Sequence, residues 1–194
     1  YRWDVPHNIA DLIELMGGKE AFRNNLETMY NTPLGEAKYV FYAQLPDHTG
    51  NVGQFSMANE PSMHIPYLYN YIGEPWRTQK RVRTLLDEWF RNDLMGLPGD
   101  EDGGGMSAFV VFSMLGFYPI TPGLPIYVIG TPMFERAVIE TGAGKSFEVI
   151  AHNDSPTNKY IQSAKLNGKD WTQSWFEHKE LMNGGKLEFT RGGT

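Results

Sequence analysis

The first two thirds of the chain places its apolar residues at helical spacing. Residues 9–16 carry apolar side chains at positions i, i+3, i+4 and i+7, and the pair Gly17-Gly18 is expected to end that helix. The same reasoning predicts further helices over four segments: 19–31, 62–72, 75–92 and 106–115. The last of these, MSAFVVFSML, is apolar on every side and is therefore predicted to be an interior helix. The intervening segment 32–58 is rich in Pro and Gly and is predicted to be a loop.

The pattern changes after YPITP at residues 118–122. The later apolar runs are short and rich in β-branched residues, and inward and outward positions alternate in 147–151 and 160–166. Asn167-Gly168 and Gly184-Gly185 are the predicted hairpin turns. These features predict an antiparallel sheet, packed as a sandwich or against the helices.

The helical pattern and the strand pattern together predict a mixed α and β protein. Its helical portion is predicted at 1–122 and its β-rich segment at 123–194. A chain of 194 residues with 41% hydrophobic residues can bury a sizeable core in one medium domain or two small ones.

Charge and composition exclude several classes of protein. The net charge is −6 and no basic stripe occurs, which argues against a nucleic-acid partner. The longest apolar run is too short to cross a bilayer. The chain contains no Cys, so disulfides and thiolate chemistry are excluded. Tyr1 opens the sequence without Met or a signal peptide, and we expect a fragment or a processed chain whose targeting signal lies outside it.

Two apparent ligand motifs fail on spacing. TGAGKS at 141–146 resembles a phosphate-binding loop, but Ile139 stands where the first glycine is required and a strand pattern follows. Asp100-x-Asp102 resembles the start of a calcium loop, but Val111 stands where an EF-hand requires Glu.

The stretch GDEDGGG at 99–105, here called the acidic loop, precedes the predicted helix at 106–115. A carboxylate placed before the free N–H groups of a helix is held ionised, and an ionised Asp in a cleft can act as a general base. Asp100 and Asp102 are the candidates, and the glycines would permit a sharp turn and close approach of a substrate. The alternative is that Asp102 only caps the helix, and the residues alone favour that alternative.

A second candidate cluster is MANEPSMH at 57–64, here called the NEPS loop. Asn59 and Glu60 offer oxygen ligands that suit a hard cation such as calcium. Capping of the next helix by Glu60 and Ser62 is an equally good interpretation. A lone His64 is more often structural than catalytic. The Trp and Tyr residues around both loops suit a carbohydrate site, although most of them should be core.

The longer motifs resemble a known family. RWDVPHNIADLIELMGG, NEPSMHIPYLYNYIGEPWRTQ, LMGLPGDEDGGGMSAFVVFSMLGFYPITPGLP and KLNGKDW resemble the glycoside hydrolase family 92 α-mannosidases. The resemblance implies part of an (α/α)6 barrel followed by an antiparallel, β-sandwich-like C-terminal segment. It also implies a calcium-dependent exo-acting enzyme that removes terminal α-linked mannose from glycans such as N-glycans with inversion. A periplasmic, cell-surface or secreted location is implied as well.

The resemblance also implies roles for individual residues. Asp100 and Asp102 match the aspartates that activate water, with Asp102 the first choice as base. Asn59 and Glu60 are the nearest matches to the calcium site, where the ion would contact the mannose hydroxyls.

Three further residues match the lining near the sugar, namely Trp3, His7 and His64. One departure is that the family reads closer to H-G-N-E-P-S-H-H, where this chain has M-A-N-E-P-S-M-H. Replacement of imidazoles by thioethers is expected to alter the surroundings of the substrate or the metal.

The resemblance places the general acid, a Glu, just before Tyr1. An inverting glycosidase needs both carboxyl groups, so residues 1–194 alone are expected to be nearly inactive without the preceding part of the same protein. Two alternative functions are a non-catalytic carbohydrate-binding or scaffold fragment and another (α/α)6 carbohydrate enzyme, such as an inverting phosphorylase. No Arg or Lys cluster near the acidic loop would hold phosphate, which ranks the phosphorylase last.

Overall fold

The computed structural model describes residues 2–44 and 49–194. The α-helices in these ranges are α1 (Ile9–Leu15), α2 (Lys19–Asn31), α3 (Lys38–Gln44), α4 (Pro75–Trp89), α5 (Gly105–Leu115) and α6 (His178–Met182). Shorter 3-10 helices cover Glu60–Ser62, Ile65–Ile72 and Asp102–Gly104. The strands are β1 (Asn51–Val52), β2 (Phe55–Ser56), β3 (Phe117–Tyr118), β4 (Ile126–Ile129), β5 (Arg136–Gly142), β6 (Lys145–His152), β7 (Tyr160–Leu166), β8 (Lys169–Asp170), β9 (Trp175–Glu177) and β10 (Gly185–Gly192).

Local sequence signals account for the first helices. The Asn8 side chain accepts a hydrogen bond from Asp11 N at 3.2 Å and caps α1, and two glycines with positive φ follow that helix. Pro75 occupies the first turn of α4, where its missing N–H is harmless. The predicted helices at 9–16, 19–31 and 75–92 are confirmed to within a few residues at their ends.

The middle of the chain differs from the prediction. The segment 32–58 contains α3 and the short β1–β2 hairpin, whereas a loop was predicted. The segment 62–72 winds as a 3-10 helix over Ile65–Ile72, whereas an α-helix was the expected form.

Helix α5 buries only one of its sides within the described residues. Met106, Phe109 and Ser113 are buried, while Val111 is 57% exposed. The prediction of an interior helix is therefore wrong for this chain, because no described element covers the Val111 side.

The C-terminal part contains a five-stranded sheet with the order β5-β6-β10-β7-β8. β10 pairs antiparallel with β7 but parallel with β6, so the prediction of a wholly antiparallel sheet is wrong. The connection from β6 to β10 passes through β7, β8, β9 and α6, and a connection of that length permits the parallel pairing.

A second, three-stranded sheet has the order β3-β4-β9 and faces the first across an aromatic core. Phe176 of this sheet stacks on Phe147 of the larger sheet, with ring centroids 5.8 Å apart, and meets Phe117 edge to face at 5.1 Å. The two sheets therefore pack face to face across this core.

Hydrogen bonds join the helical and β-rich parts. Asn70 Nδ2 donates to Ile129 O at 2.7 Å, and Ile161 N donates to Gln79 Oε1 at 3.0 Å. Because β3 precedes residue 122 and pairs with β4 after it, the sheet reaches into the helical portion, and the boundary at 122 stays a prediction.

The described residues do not show a closed (α/α)6 barrel, which would require twelve helices around one axis. No helix in the described ranges is long and apolar enough to span a membrane.

Candidate active site

The acidic loop and the NEPS loop pack directly against each other. A side chain at Gly99 would overlap the backbone of Ala58, and a Cβ at Gly105 would lie 2.5 Å from Glu60 Oε1. The base of the acidic loop is also fixed by Thr49, whose hydroxyl donates to Pro98 O. Two glycines therefore let the two loops form one surface.

Glu101, and not Asp102, caps the helix that follows the acidic loop. Gly104 N donates to Glu101 Oε2 at 2.5 Å, and Ser107 N donates to Glu101 Oε1 at 3.1 Å. The hydrogen bonds from Ser107 and then from Gly104 hold the pKa of Glu101 below its usual range. The expectation that Asp102 receives the free N–H groups of the helix is therefore wrong, because the preceding residue occupies them.

Asp102 is exposed and lies beside Glu60. Its φ is 53°, in the left-handed region that Asp adopts more readily than most residues. The carboxyl groups of Asp102 and Glu60 are close enough to interact electrostatically. Burial, and after it the nearby Asp102, raises the pKa of Glu60. The structure thus brings together one Asp and one Glu from the two predicted clusters.

The other two predicted polar ligands are placed less centrally. Asp100 is exposed and makes no hydrogen bond or ion pair within the described parts of the chain. Asn59 is half-buried, and its carbonyl accepts from Ser62 N at 3.0 Å. The Ser62 side chain forms no capping bond, but Glu60 lies in the first turn of the 3-10 helix Glu60–Ser62, so the alternative that it stabilises this helix N-terminus remains open.

The chemistry of the two loops fits a hard cation in part. Glu60 Oε1 is buried and has no hydrogen-bond partner, and a buried carboxylate oxygen without a partner is the kind of atom that a cation would satisfy. Calcium takes six to eight oxygen ligands. Across the described ranges no group of three or more His, Asp or Glu side chains is arranged to hold a metal. Glu60 with Asn59 or Asp102 would therefore supply only part of a calcium shell.

Trp3 and His64 form a buried contact with each other. His64 Nε2 lies 2.6 Å from Trp3 O, and the Trp3 ring meets Phe22 edge to face at 5.3 Å. Both side chains are buried, whereas His7 in the following turn is exposed. This contact fixes the N-terminal turn on the 3-10 helix, and the role of these three residues as sugar lining stays a prediction.

The buried His64 should make stability depend on pH. Burial lowers its pKa, so below about pH 6.5, where an unfolded His gains a proton, the unfolded chain binds more protons than the native one. The stability that His64 contributes is therefore present above the ordinary His pKa and is lost as the pH falls toward the lowered value. We expect the melting temperature to drop more between about pH 7.5 and about pH 5 in the wild type than in His64→Gln, which can still donate to Trp3 O. Equal drops in the two proteins would show that His64 does not contribute.

The thioethers that distinguish this chain from the family pattern lie in the core. Met57, Ala58 and Met63 are all buried, and Tyr118 donates its hydroxyl to Met63 Sδ at 3.5 Å. Burial, followed by the nearby Glu60 carboxylate, raises the pKa of Tyr118, which places this ring next to the site. These methionines are therefore core residues, and their effect on the surroundings of the substrate or metal stays a prediction.

Three residues of the site were not found from the sequence: Gly99, Glu101 and Tyr118. The three glycines have no side chain that could cap the next helix. The acceptor for the helix N–H groups must therefore precede them in the sequence. Residue type alone does not decide which of three consecutive acidic positions is that acceptor.

The profile of the glycosyl hydrolase family 92 catalytic domain matches residues 1–193. The chain belongs to glycosyl hydrolase family 92. It is similar to an uncharacterized secreted glycosidase of Arthroderma benhamiae, with 35% identity over 97% of this chain and 22% of that protein.

Solved structures of family 92 enzymes match its fold. An α-mannosidase of family GH92 from Bacteroides thetaiotaomicron, solved in complex with mannoimidazole, is 36% identical with a TM-score of 0.90, over 99% of this chain and 25% of that one. An inverting mannosidase of the same family and organism is 35% identical with a TM-score of 0.82, over 100% of this chain and 27% of that one. The family 92 chain described here thus spans about a quarter of the length of these relatives.

Proposed function

We propose that this family 92 chain supplies the water-activating side of an exo-α-mannosidase that removes terminal α-linked mannose with inversion. The observation that supports it is the placement of Asp102, exposed to solvent, beside the buried and unpartnered Oε1 of Glu60. A general base must reach a water molecule and a second polar group must orient the sugar, and this pair can do both.

Asp102 is the proposed base. Because Glu101 takes the N–H groups at the start of α5, the Asp102 carboxylate is left free to accept a proton from the water that attacks the sugar. Asp100, exposed on the same loop, is the proposed second carboxylate at that water. The glycines of the acidic loop leave room for the sugar to approach the backbone.

Glu60 and Asn59 are the residues that would hold calcium. When bound, the ion would supply positive charge and open coordination positions to the mannose hydroxyls. Glu60 would hold the ion through the oxygen that has no partner within the described residues.

The general acid is proposed to come from a segment before Tyr1. Inversion requires two carboxyl groups about 6.5–9.5 Å apart, and loss of the acid lowers the rate by about 10²–10⁴-fold. The preceding part of the same protein is therefore the proposed partner of residues 1–194, and a mannose-containing glycan is the proposed substrate. A periplasmic, cell-surface or secreted location is proposed because the relative from Arthroderma benhamiae is named a secreted glycosidase.

The test is mannose release from an α-1,2-linked disaccharide by the whole protein, in which residues 1–194 are joined to the segments encoded beside them. We expect mannose of inverted configuration, loss of the rate in a calcium chelator and recovery on adding calcium. The polypeptide 1–194 alone should be at least about 10²-fold slower. Tight mannose binding without turnover by the whole protein would favour the scaffold function, and cleavage that depends on phosphate would favour the phosphorylase.

A further inference from the structure

We infer that Glu101 is a positioning residue that holds the acidic loop so that Asp102 faces Glu60. This inference rests on the proposed function, in which Asp102 is the base. It assigns different tasks to the three acids of the loop, which the sequence presents as equivalent.

The two oxygens of Glu101 are both used inside the loop. Oε2 accepts from Gly104 N at 2.5 Å, and Oε1 accepts from Ser107 N at 3.1 Å. The Glu101 carbonyl accepts in addition from Met106 N at 3.3 Å. One residue thus accepts from the N–H groups of residues 104, 106 and 107, and both of its carboxylate oxygens are engaged inside the loop.

The backbone between these bonds is in a conformation that needs support. Asp102, Gly103 and Gly104 have successive φ angles of 53°, 66° and 110°. A non-glycine residue in the left-handed region is unfavourable by about 1 kcal/mol or more unless its surroundings fix it. The bonds to Glu101 close a ring around this segment, and that ring determines the direction in which Asp102 leaves the backbone.

Loss of the Glu101 carboxylate would also free the helix N–H groups for another acceptor. Asp102 is the next acid along the chain, and a side chain of that length is a common helix cap. If Asp102 turned to cap α5, it would leave Glu60 and could no longer serve as a base. Glu101 therefore keeps Asp102 available by satisfying the helix in its place.

The experiment compares Glu101→Ala and Glu101→Gln with a matched control, Asn167→Ala. Asn167 also has positive φ and accepts a backbone N–H with its side chain, from Lys186 at 2.9 Å, but it lies in the β7–β8 turn. In the whole protein we expect kcat to fall about tenfold in Glu101→Ala with little change in KM, and less in Glu101→Gln, which keeps one acceptor oxygen. Asn167→Ala should keep its kcat although it is destabilised.

Amide hydrogen exchange gives a readout that does not need activity. The amides of residues 104–107 should exchange faster in Glu101→Ala, while those of the last turn of α5 stay protected. Unchanged exchange at 104–107, or a kcat that falls no more than in Asn167→Ala, would overturn the inference. An inactive wild type whose loop exchange still responds to Glu101→Ala would refute the proposed function and leave Glu101 as a loop-ordering residue only.

Discussion

Replacing Asp102 with Asn is expected to lower kcat for mannose release by about 10³-fold, within the range that a general base contributes. The amide keeps the size of the side chain and cannot take a proton from water. Asp102 is exposed and is not the helix cap, so the change removes no bond that holds the loop. KM and the melting temperature should therefore change little. The measurement is steady-state kinetics of the whole protein with the α-1,2-linked disaccharide.

Two further variants make the assignment of Asp102 specific. Asp100→Asn tests the other exposed acid of the loop and should lower kcat less, because Asp102 interacts with Glu60 and Asp100 is not among the groups that do. Asp170→Asn is the matched control, since Asp170 is an exposed aspartate of β8 paired loosely with Lys165 at 3.9 Å. A full rate in Asp102→Asn, or a larger loss in Asp100→Asn, would reject Asp102 as the base.

Much of the fold could be predicted because its signals are local. The helices at 9–16, 19–31 and 75–92 are each set by apolar spacing and by a Gly or Pro at one end, and these features act within a few residues. The 3-10 winding of Ile65–Ile72 was harder to predict, since it depends on burial of both faces of the segment.

The parallel pairing of β10 with β6 could not be predicted from alternation. Phe147 and Val149 alternate in the same way whether the neighbouring strand runs parallel or antiparallel. The choice depends on the path of the chain through α6 and the smaller sheet, which is a long-range property. The burial of α5 could not be predicted either, as the exposed Val111 shows. An apolar helix face does not reveal whether the element that covers it lies within the chain.

The site was predicted by residue type and not by role. The pattern selected the acidic loop and the NEPS loop as candidates, and the structure places them in contact at Gly99 and Gly105. It assigned the helix N-terminus to Asp102 when Glu101 is the acceptor. Glu101 and Asp102 are neighbours in the sequence. The left-handed backbone of residues 102–104 determines which of them accepts from the helix N–H groups.

Replacing Gly105 with Ala is expected to lower kcat by about 10²-fold while leaving the fold intact. Gly105 has φ −62° and ψ −51°, an ordinary helical conformation, so Ala introduces no backbone strain and should favour the helix by about 0.5–1 kcal/mol. Its Cβ would lie 2.5 Å from Glu60 Oε1 and 2.9 Å from Glu60 Cγ. The flexible carboxylate must therefore move away from its place beside Asp102.

The variant separates activity from stability. If Gly105 served only the fold, its replacement would lower the melting temperature and leave kcat unchanged. We expect a melting temperature equal to or above that of the wild type, measured by calorimetry, together with the loss of kcat. Gly193→Ala is the matched control, because a Cβ there meets Asn158 Oδ1 at an ordinary 3.5 Å and lies away from the acidic loop. A Gly105→Ala protein that is stable and fully active would show that the position of Glu60 is not needed for turnover. A protein that unfolds would show that the contact between Gly105 and Glu60 serves the packing of the two loops alone.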